Sequence, residues 1–205
     1  MRAYMRSDMA YLGVQKAGQT AVYREVFPRF PLESAEEWRD TIRALWRGAT
    51  HREERYAAIA LAEHRPYRAY QTLDALPLYE EPIVDGAWWD YVDVVAGHLV
   101  GDLLRANPAQ MNRTVREWSR SESMWKRRSA IICQLGFKRE TDLKLLYHCI
   151  EPNLGDSGFF IRKAIGWALR QYAWTDPDEV RRYVRANEKR LSPLSRREAL
   201  KNIGG

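Results

Sequence analysis

Cysteine is nearly absent: Cys133 and Cys149 are the only two in 205 residues. Neither lies in a CxxC or Cys/His spacing, so neither a zinc site nor a disulfide framework is suggested. Both fall within apolar helical patterns and are expected to be reduced, buried thiols. Long hydrophobic runs are missing too. No window approaches the ~20 apolar residues that a membrane span requires, and the opening MRAYMRSDMAYLG has no apolar signal core. The chain is therefore expected to be soluble and cytoplasmic. Strand signals are scarce: sustained period-two alternation is lacking, as are hairpin turns between alternating runs.

Lysine is also scarce, although the chain is basic. It supplies only seven of 33 cationic side chains, against 27 acidic ones, and the remaining 26 are arginines. The formal net charge is +6 and the isoelectric point is near 9.4. An acidic partner follows from that balance, and nucleic acid leads, because guanidinium pairs bidentately with phosphate. A genomic bias toward arginine codons would give the same skew.

What is present is helical periodicity almost throughout. Helices are predicted at 16–27, 35–47, 51–64, 66–75, 87–105, 108–119, 123–136, 140–150, 158–174, 177–186 and 194–203. Pro28, Pro31, Pro66, Pro77, Pro108, Pro152, Pro177 and Pro193 fall at or near the joints, where proline is tolerated. Short helices joined by short turns suggest stacked pairs, and an internal repeat is found. Aligning Trp46 with Trp118 also aligns Arg55 with Arg127, Ala58 with Ala130 and Ile59 with Ile131, a shift of two 36-residue units. Trp89 aligns with Trp125 one unit apart. Neither the tetratricopeptide nor the ankyrin pattern is present. The expected architecture is thus all-α, a HEAT-like helical repeat solenoid with a concave basic groove, forming one domain over 1–205. A plain helical bundle is the alternative.

Three segments carry candidate chemistry. In the first, Asp85-Gly-Ala-Trp-Trp-Asp-Tyr-Val-Asp, Asp85 is expected to cap a helix whose apolar stripe is Trp88, Val92, Val95, Leu99 and Leu103. Trp89 and Asp93, four apart, then share a face, an indole beside a carboxylate able to embrace a cation. In the second, Lys126, Arg127 and Arg128 fan around a helix start whose apolar positions include Trp125 and Ile132. In the third, Ile161, Ile165, Leu169 and Tyr172 form an apolar stripe, with Lys163, Trp167 and Arg170 on another. Gly166 inside that helix costs roughly 1 kcal/mol relative to Ala, which implies close approach of a neighbouring helix or a ligand. Asp93 and Arg128 are 35 residues apart, and Arg128 and Trp167 are 39 apart. Both spacings are near the repeat length, so successive repeats can present them on one surface. Each segment taken alone also reads as ordinary packing or a solvated charged face.

Together these residues resemble the AlkD-type DNA alkylation repair glycosylases, a similarity that runs over essentially the whole chain. It is carried by YMRSDMAYLGVQ, WWDYVDVVAGHLVGDLL, WKRRSAIICQLGFK, FFIRKAIGWALRQYAWTDPDEVRRYV and LSPLSRREALKNI. Members of that family begin with a further helix before the Tyr4 segment, whereas this chain starts almost at it. The resemblance implies Trp89, Asp93 and Trp167 at the catalytic constellation, Arg128 at the DNA backbone and Tyr4 beside the site. Arg127, Lys163 and Arg170 are expected as further contacts to DNA. It also implies release of positively charged N3- or N7-alkylated purines from double-stranded DNA, without base flipping and without metal or organic cofactor. The protein is expected to act as a monomer, held at the nucleoid through DNA. Two other classes fit the composition: a noncatalytic module that binds distorted duplex, and a protein-binding scaffold.

Overall fold

The computed structural model describes residues 8–203. Among the described residues there are twelve α-helices and no strand, only an isolated parallel bridge between Ala10 and His51. No helix among them is long and apolar enough to cross a membrane. The chain clusters into two compact units, one ending at Tyr79 and the other beginning at Glu80.

In the first unit, α1 (Lys16–Val26) and α2 (Ala35–Arg47) both pack on α3 (Arg52–Ala62). Trp38, Ile42 and Trp46, spaced four apart, put the apolar side of α2 entirely in the core. Ser34 caps that helix by accepting from the Glu37 backbone at 3.1 Å, and the Glu37 carboxylate accepts from the backbone of Glu33, the residue before the cap, at 2.8 Å. Glu53, buried at the start of α3, accepts from the backbone N–H groups of Leu12, Gly13 and Val14 at 3.0, 2.9 and 3.2 Å. Three donors on one carboxylate tie the segment before α1 to α3.

The division between the units falls within α4 (Leu76–Val84). The second unit continues with α5 (Trp89–Val94), a π-helical turn (Val95–Val100) and α6 (Gly101–Ala106). Then come α7 (Pro108–Trp118), α8 (Met124–Ile132), α9 (Leu143–Ile150), α10 (Phe159–Ala173), α11 (Pro177–Ala186) and α12 (Pro193–Leu200). Helices pack on their chain neighbours and on helices further along: α5 on α8, α8 on α10, α10 on α12, and α7 on α9. Two parallel rows result, as a repeated helix pair requires. Side-chain caps start four of these helices, with Ser123, Asp142, Asp176 and Ser192 each accepting a backbone N–H.

Three aligned apolar pairs occupy equivalent places, whereas Arg127, aligned with Arg55, turns to Ser121, Glu122 and Asp156. Trp46 and Trp118, Ala58 and Ala130, and Ile59 and Ile131 are all buried. Arg55 lies over the Trp46 ring at 4.5 Å and Lys126 over the Trp118 ring at 5.8 Å, so each tryptophan is covered by a cation from the following helix.

Four local expectations are corrected. The helix expected at 66–75 is two 3-10 segments, Arg65–Tyr70 and Leu73–Ala75. It is followed by α4, which the sequence left as a joint: Pro77 stands in its first turn and Pro82 in its interior, yet burial of Leu78, Tyr79 and Ile83 outweighs the lost backbone bond. Asp85 does not cap α5. The residue at that position is Trp88, and Asp85 lies in a turn where Ala87 adopts φ 42°. Finally, the helix expected at 87–105 is widened by the π-turn, which buries Ala96 and Val100 beside the expected Val95 and Leu99.

Gly101 sits where a Cβ would lie 2.6 Å from the Cys133 carbonyl oxygen. Gly→Ala in a helix ordinarily stabilises by roughly 1 kcal/mol, but here overpacking against backbone costs about 1–3 kcal/mol. Gly101→Ala is expected to lower the urea midpoint, and a raised midpoint would show that α6 and α8 are not in this contact.

Candidate functional site

Asp93 lies one turn into α5, and Arg128 follows the cap of α8 by one turn. The row packing of α5 on α8 brings them together across 35 residues. The guanidinium grips the carboxylate with both prongs, Nε donating to Oδ1 at 2.7 Å and Nη2 to Oδ2 at 2.8 Å. Nη1 donates to the Phe160 carbonyl at the start of α10, at 2.6 Å. Arg128 keeps 5% of its side-chain surface exposed and Asp93 keeps 15%, so the pair is covered but its acid retains a face toward solvent. The arginine fork uses two of the roughly four acceptor positions of a carboxylate, leaving one on each oxygen. Burial pushes the Asp93 carboxyl above its ordinary range. The Arg128 hydrogen bonds and charge pull it back, Asp90 pushes it up again, and the net direction is upward.

Aromatic rings surround this pair. The Arg128 guanidinium lies 5.9 Å from the ring centres of both Phe160 and Trp167. Behind them Trp88, Trp125 and Phe160 form one cluster, with centroids 4.9–6.2 Å apart. Trp88 therefore packs inward, as its place in the apolar stripe suggested, and its indole N–H is buried with no hydrogen-bond partner. Trp89 and Trp167 are both half-buried, Trp89 one helical turn before Asp93.

The remaining basic residues are committed to other groups. Arg127 donates through Nη1 to the Ser121 and Glu122 carbonyls at 2.8 and 3.0 Å, and through Nη2 to Asp156 at 2.9 Å. It ties the loop before its own helix to the loop before α10. Lys163 and Arg170 both reach Glu198 on α12, at 3.0 and 2.6 Å. Arg128 is turned to Asp93 and Phe160, so a phosphate contact by its guanidinium would require breaking that fork. Tyr4 lies outside the described residues. Gly166 marks the approach of a helix: a Cβ there would lie 2.5 Å from Glu198 Cβ and 2.9 Å from the Ser195 carbonyl oxygen. Sequence reasoning missed Phe160, Asp156 and Glu198. Only Gly166 signalled that something presses against α10. Among the described residues no three His, Cys, Asp or Glu side chains gather to hold a metal ion. Cys133 and Cys149 are buried and unpaired by disulfide, and burial pushes both thiols up, Cys149 to about 12.

Comparison with known proteins bears on this arrangement. The sequence profile described as "DNA alkylation repair enzyme" matches residues 1–203. A solved structure described as a "predicted DNA alkylation repair enzyme" from Enterococcus faecalis is similar in fold, with a TM-score of 0.87 and 30% sequence identity. That similarity covers 99% of this chain and 92% of the other. No curated protein matches.

Removing the arginine would leave a buried, uncompensated carboxylate, a change that costs about 3–5 kcal/mol. Because Arg128 is what pulls the Asp93 carboxyl down, Arg128→Gln moves it further up. A carboxyl raised in the folded state lowers stability above that value and restores it as pH falls through it. Urea unfolding is therefore expected to show a large deficit for Arg128→Gln at about pH 7 that shrinks by about pH 5. A deficit independent of pH would mean that Asp93 is not the charge being compensated.

Proposed function

The chain belongs to the DNA alkylation repair enzyme family, and from that premise we propose that it is an AlkD-type DNA glycosylase excising N3- and N7-alkylated purines from double-stranded DNA. One observation carries this reading: a largely covered carboxylate held by an arginine fork on a ring-lined face, with an acceptor position left on each oxygen.

Alkylation at N3 or N7 places a formal positive charge on the purine, so the base leaves neutral and no general acid is needed. What remains is to stabilise positive charge on the sugar as the glycosidic bond lengthens and to direct water to C1′. A fixed carboxylate does both by electrostatics and hydrogen bonding. Asp93 takes this role. Arg128 keeps it ionised against the pull of burial and fixes its rotation, which leaves the second acceptor position of each oxygen for water or sugar. Trp89 and Trp167 hold the cationic nucleotide against ring faces, each such contact contributing ~0.5–2 kcal/mol. An uncharged damaged base lacks the activated leaving group, and the constellation contains no acid to replace it. The lesion stays stacked in this mode, approached from its sugar-phosphate edge, and the bond is hydrolysed to start base excision repair.

Asp93→Asn preserves shape and hydrogen bonding at one oxygen but removes the charge. It leaves Arg128 buried without its anion and so is expected to lower stability, but to remain folded under assay conditions and keep most duplex affinity while losing most release of 7-methylguanine from methylated DNA, with thermal unfolding followed and small and bulky adducts tested in parallel. Free 3-methyladenine or 7-methylguanine in the supernatant of the wild type establishes an enzyme. Binding without release would instead make the protein a noncatalytic DNA-binding module, and undiminished release by Asp93→Asn would remove the role given to Asp93.

A further inference from the structure

The face of α10 that carries Trp167 also carries Lys163 four residues before it and Arg170 three after. Both cations converge on one carboxylate from the last helix: Lys163 Nζ lies 3.0 Å from Oε1 of Glu198, and Arg170 Nη1 donates to Oε2 at 2.6 Å. Glu198 is largely covered, its side chain 12% exposed, while Lys163 and Arg170 keep 36% and 23% of theirs. The contact is built into the packing. Gly166 lets the Glu198 Cβ come within 2.5 Å and the Ser195 carbonyl oxygen within 2.9 Å of where its own Cβ would stand, and Ser195 Oγ donates to the Arg162 carbonyl at 2.9 Å. Helix α12 is thus seated against the residue that precedes Trp167, and it presents its acid there. Burial pushes the Glu198 carboxyl up, but the Lys163 hydrogen bond and the charges of Lys163, Arg170 and Lys201 more than offset this and hold it below its usual range. At neutral pH the group is an anion.

We propose that Glu198 is a positioning residue that holds Lys163 and Arg170 on either side of Trp167 and withholds their charge from the DNA backbone until a phosphate competes for them. Carboxylate and phosphate are both oxyanions that a guanidinium or an ammonium accepts with similar geometry, so the exchange needs only side-chain rotation. Two cations and one anion leave a single net positive charge on this face. The protein therefore grips DNA less tightly than its residue types suggest, while the two cations stay ordered and near the ring. This rests on duplex DNA being the partner, and the test uses undamaged duplex so that excision is not needed for its readout.

Wild type, Glu198→Gln and Glu198→Asp are titrated with an undamaged duplex over a range of salt concentrations, and thermal unfolding is followed in parallel. Glu198→Gln is expected to bind more tightly at low salt. Its plot of log affinity against log salt should be steeper by roughly 1–2, because each released cation that meets a phosphate adds about 0.9. Glu198→Asp, which keeps the charge but is one methylene shorter, is expected between the two. Salt-dependent binding with equal slopes in all three proteins overturns the proposal and leaves the DNA reading intact. Binding insensitive to salt in the wild type overturns both. Collapse of both variants on heating, or a lower melting temperature with unchanged slope, makes Glu198 a brace only and overturns the proposal as well.

Discussion

An arginine and an aspartate taken out of water together constrain everything around them. Desolvation of each ion costs several kcal/mol, and attraction repays it only when geometry and hydrogen bonding are complete. The fork between Arg128 and Asp93 meets that condition with two parallel bonds, and a third bond to the Phe160 carbonyl uses the remaining side of the guanidinium. Three helices, α5, α8 and α10, are thereby held in one register. A slip of any of them by a residue would leave a buried charge without its partner, so the rings around the pair inherit a fixed position from it. The chemical proposal depends on this: a carboxylate free to turn or to take up a proton could not offer a steady negative charge to a sugar.

The same register is used again elsewhere, with different energetic weight. Arg105 pairs with Glu140 across 35 residues and Arg190 with Glu151 across 39. Tyr147 donates to Glu179 across 32, and Asn153 to the Ser119 carbonyl across 34. Each tie joins elements one repeat apart, as a stacked helix pair brings the same positions face to face in every unit. The Arg105 and Arg190 pairs are about half exposed and add little to stability, on the order of 0–1 kcal/mol. The Asp93 pair is covered, so its loss is felt in full. In the proposed function, burial among tryptophans is what sets one ordinary inter-repeat tie apart from the others.

Much of this was legible in the sequence, for reasons that can be stated. Helical spacing placed the apolar stripes of α5, α8 and α10, and the 35-residue interval between Asp93 and Arg128 pointed to adjacency once a repeat was recognised. The interval could not say that the two would bond to each other, since side-chain direction depends on how α5 packs against α8. Arg128 was expected to face phosphate, and Arg127, Lys163 and Arg170 likewise, because residue type alone treats every cation as available. Asp156 sits in a loop and its partner Arg127 is 29 residues away, off the repeat length. Glu198 is 28 residues from Arg170 but 35 from Lys163, on the repeat length, and nothing in its residue type marked it among the other charged positions of its helix. The π-turn at Val95–Val100 had no signal beyond a run of apolar residues equally suited to an ordinary helix. Helix α4 was missed because its prolines read as breaks, whereas burial decided the outcome.

Net charge and local charge part company in this protein. The excess of +6 made nucleic acid the leading partner, yet the cations nearest the candidate site are each matched by a carboxylate or a carbonyl. Among the described residues, arginines without such partners lie elsewhere: Arg113 and Arg116 on α7 and Arg120 in the turn after it, and the last two, with burial, push the nearby His148 down. A long-range attraction to phosphate therefore draws on charges distributed over the second unit, while the chemistry proposed at Asp93 draws on a pair that is neutral as a whole. The two can vary independently, because screening by salt weakens exposed charges far more than a covered pair. Overall charge can bring such a protein to DNA, but it cannot locate the residue that acts there. Burial and pairing do that, and they are properties of the fold.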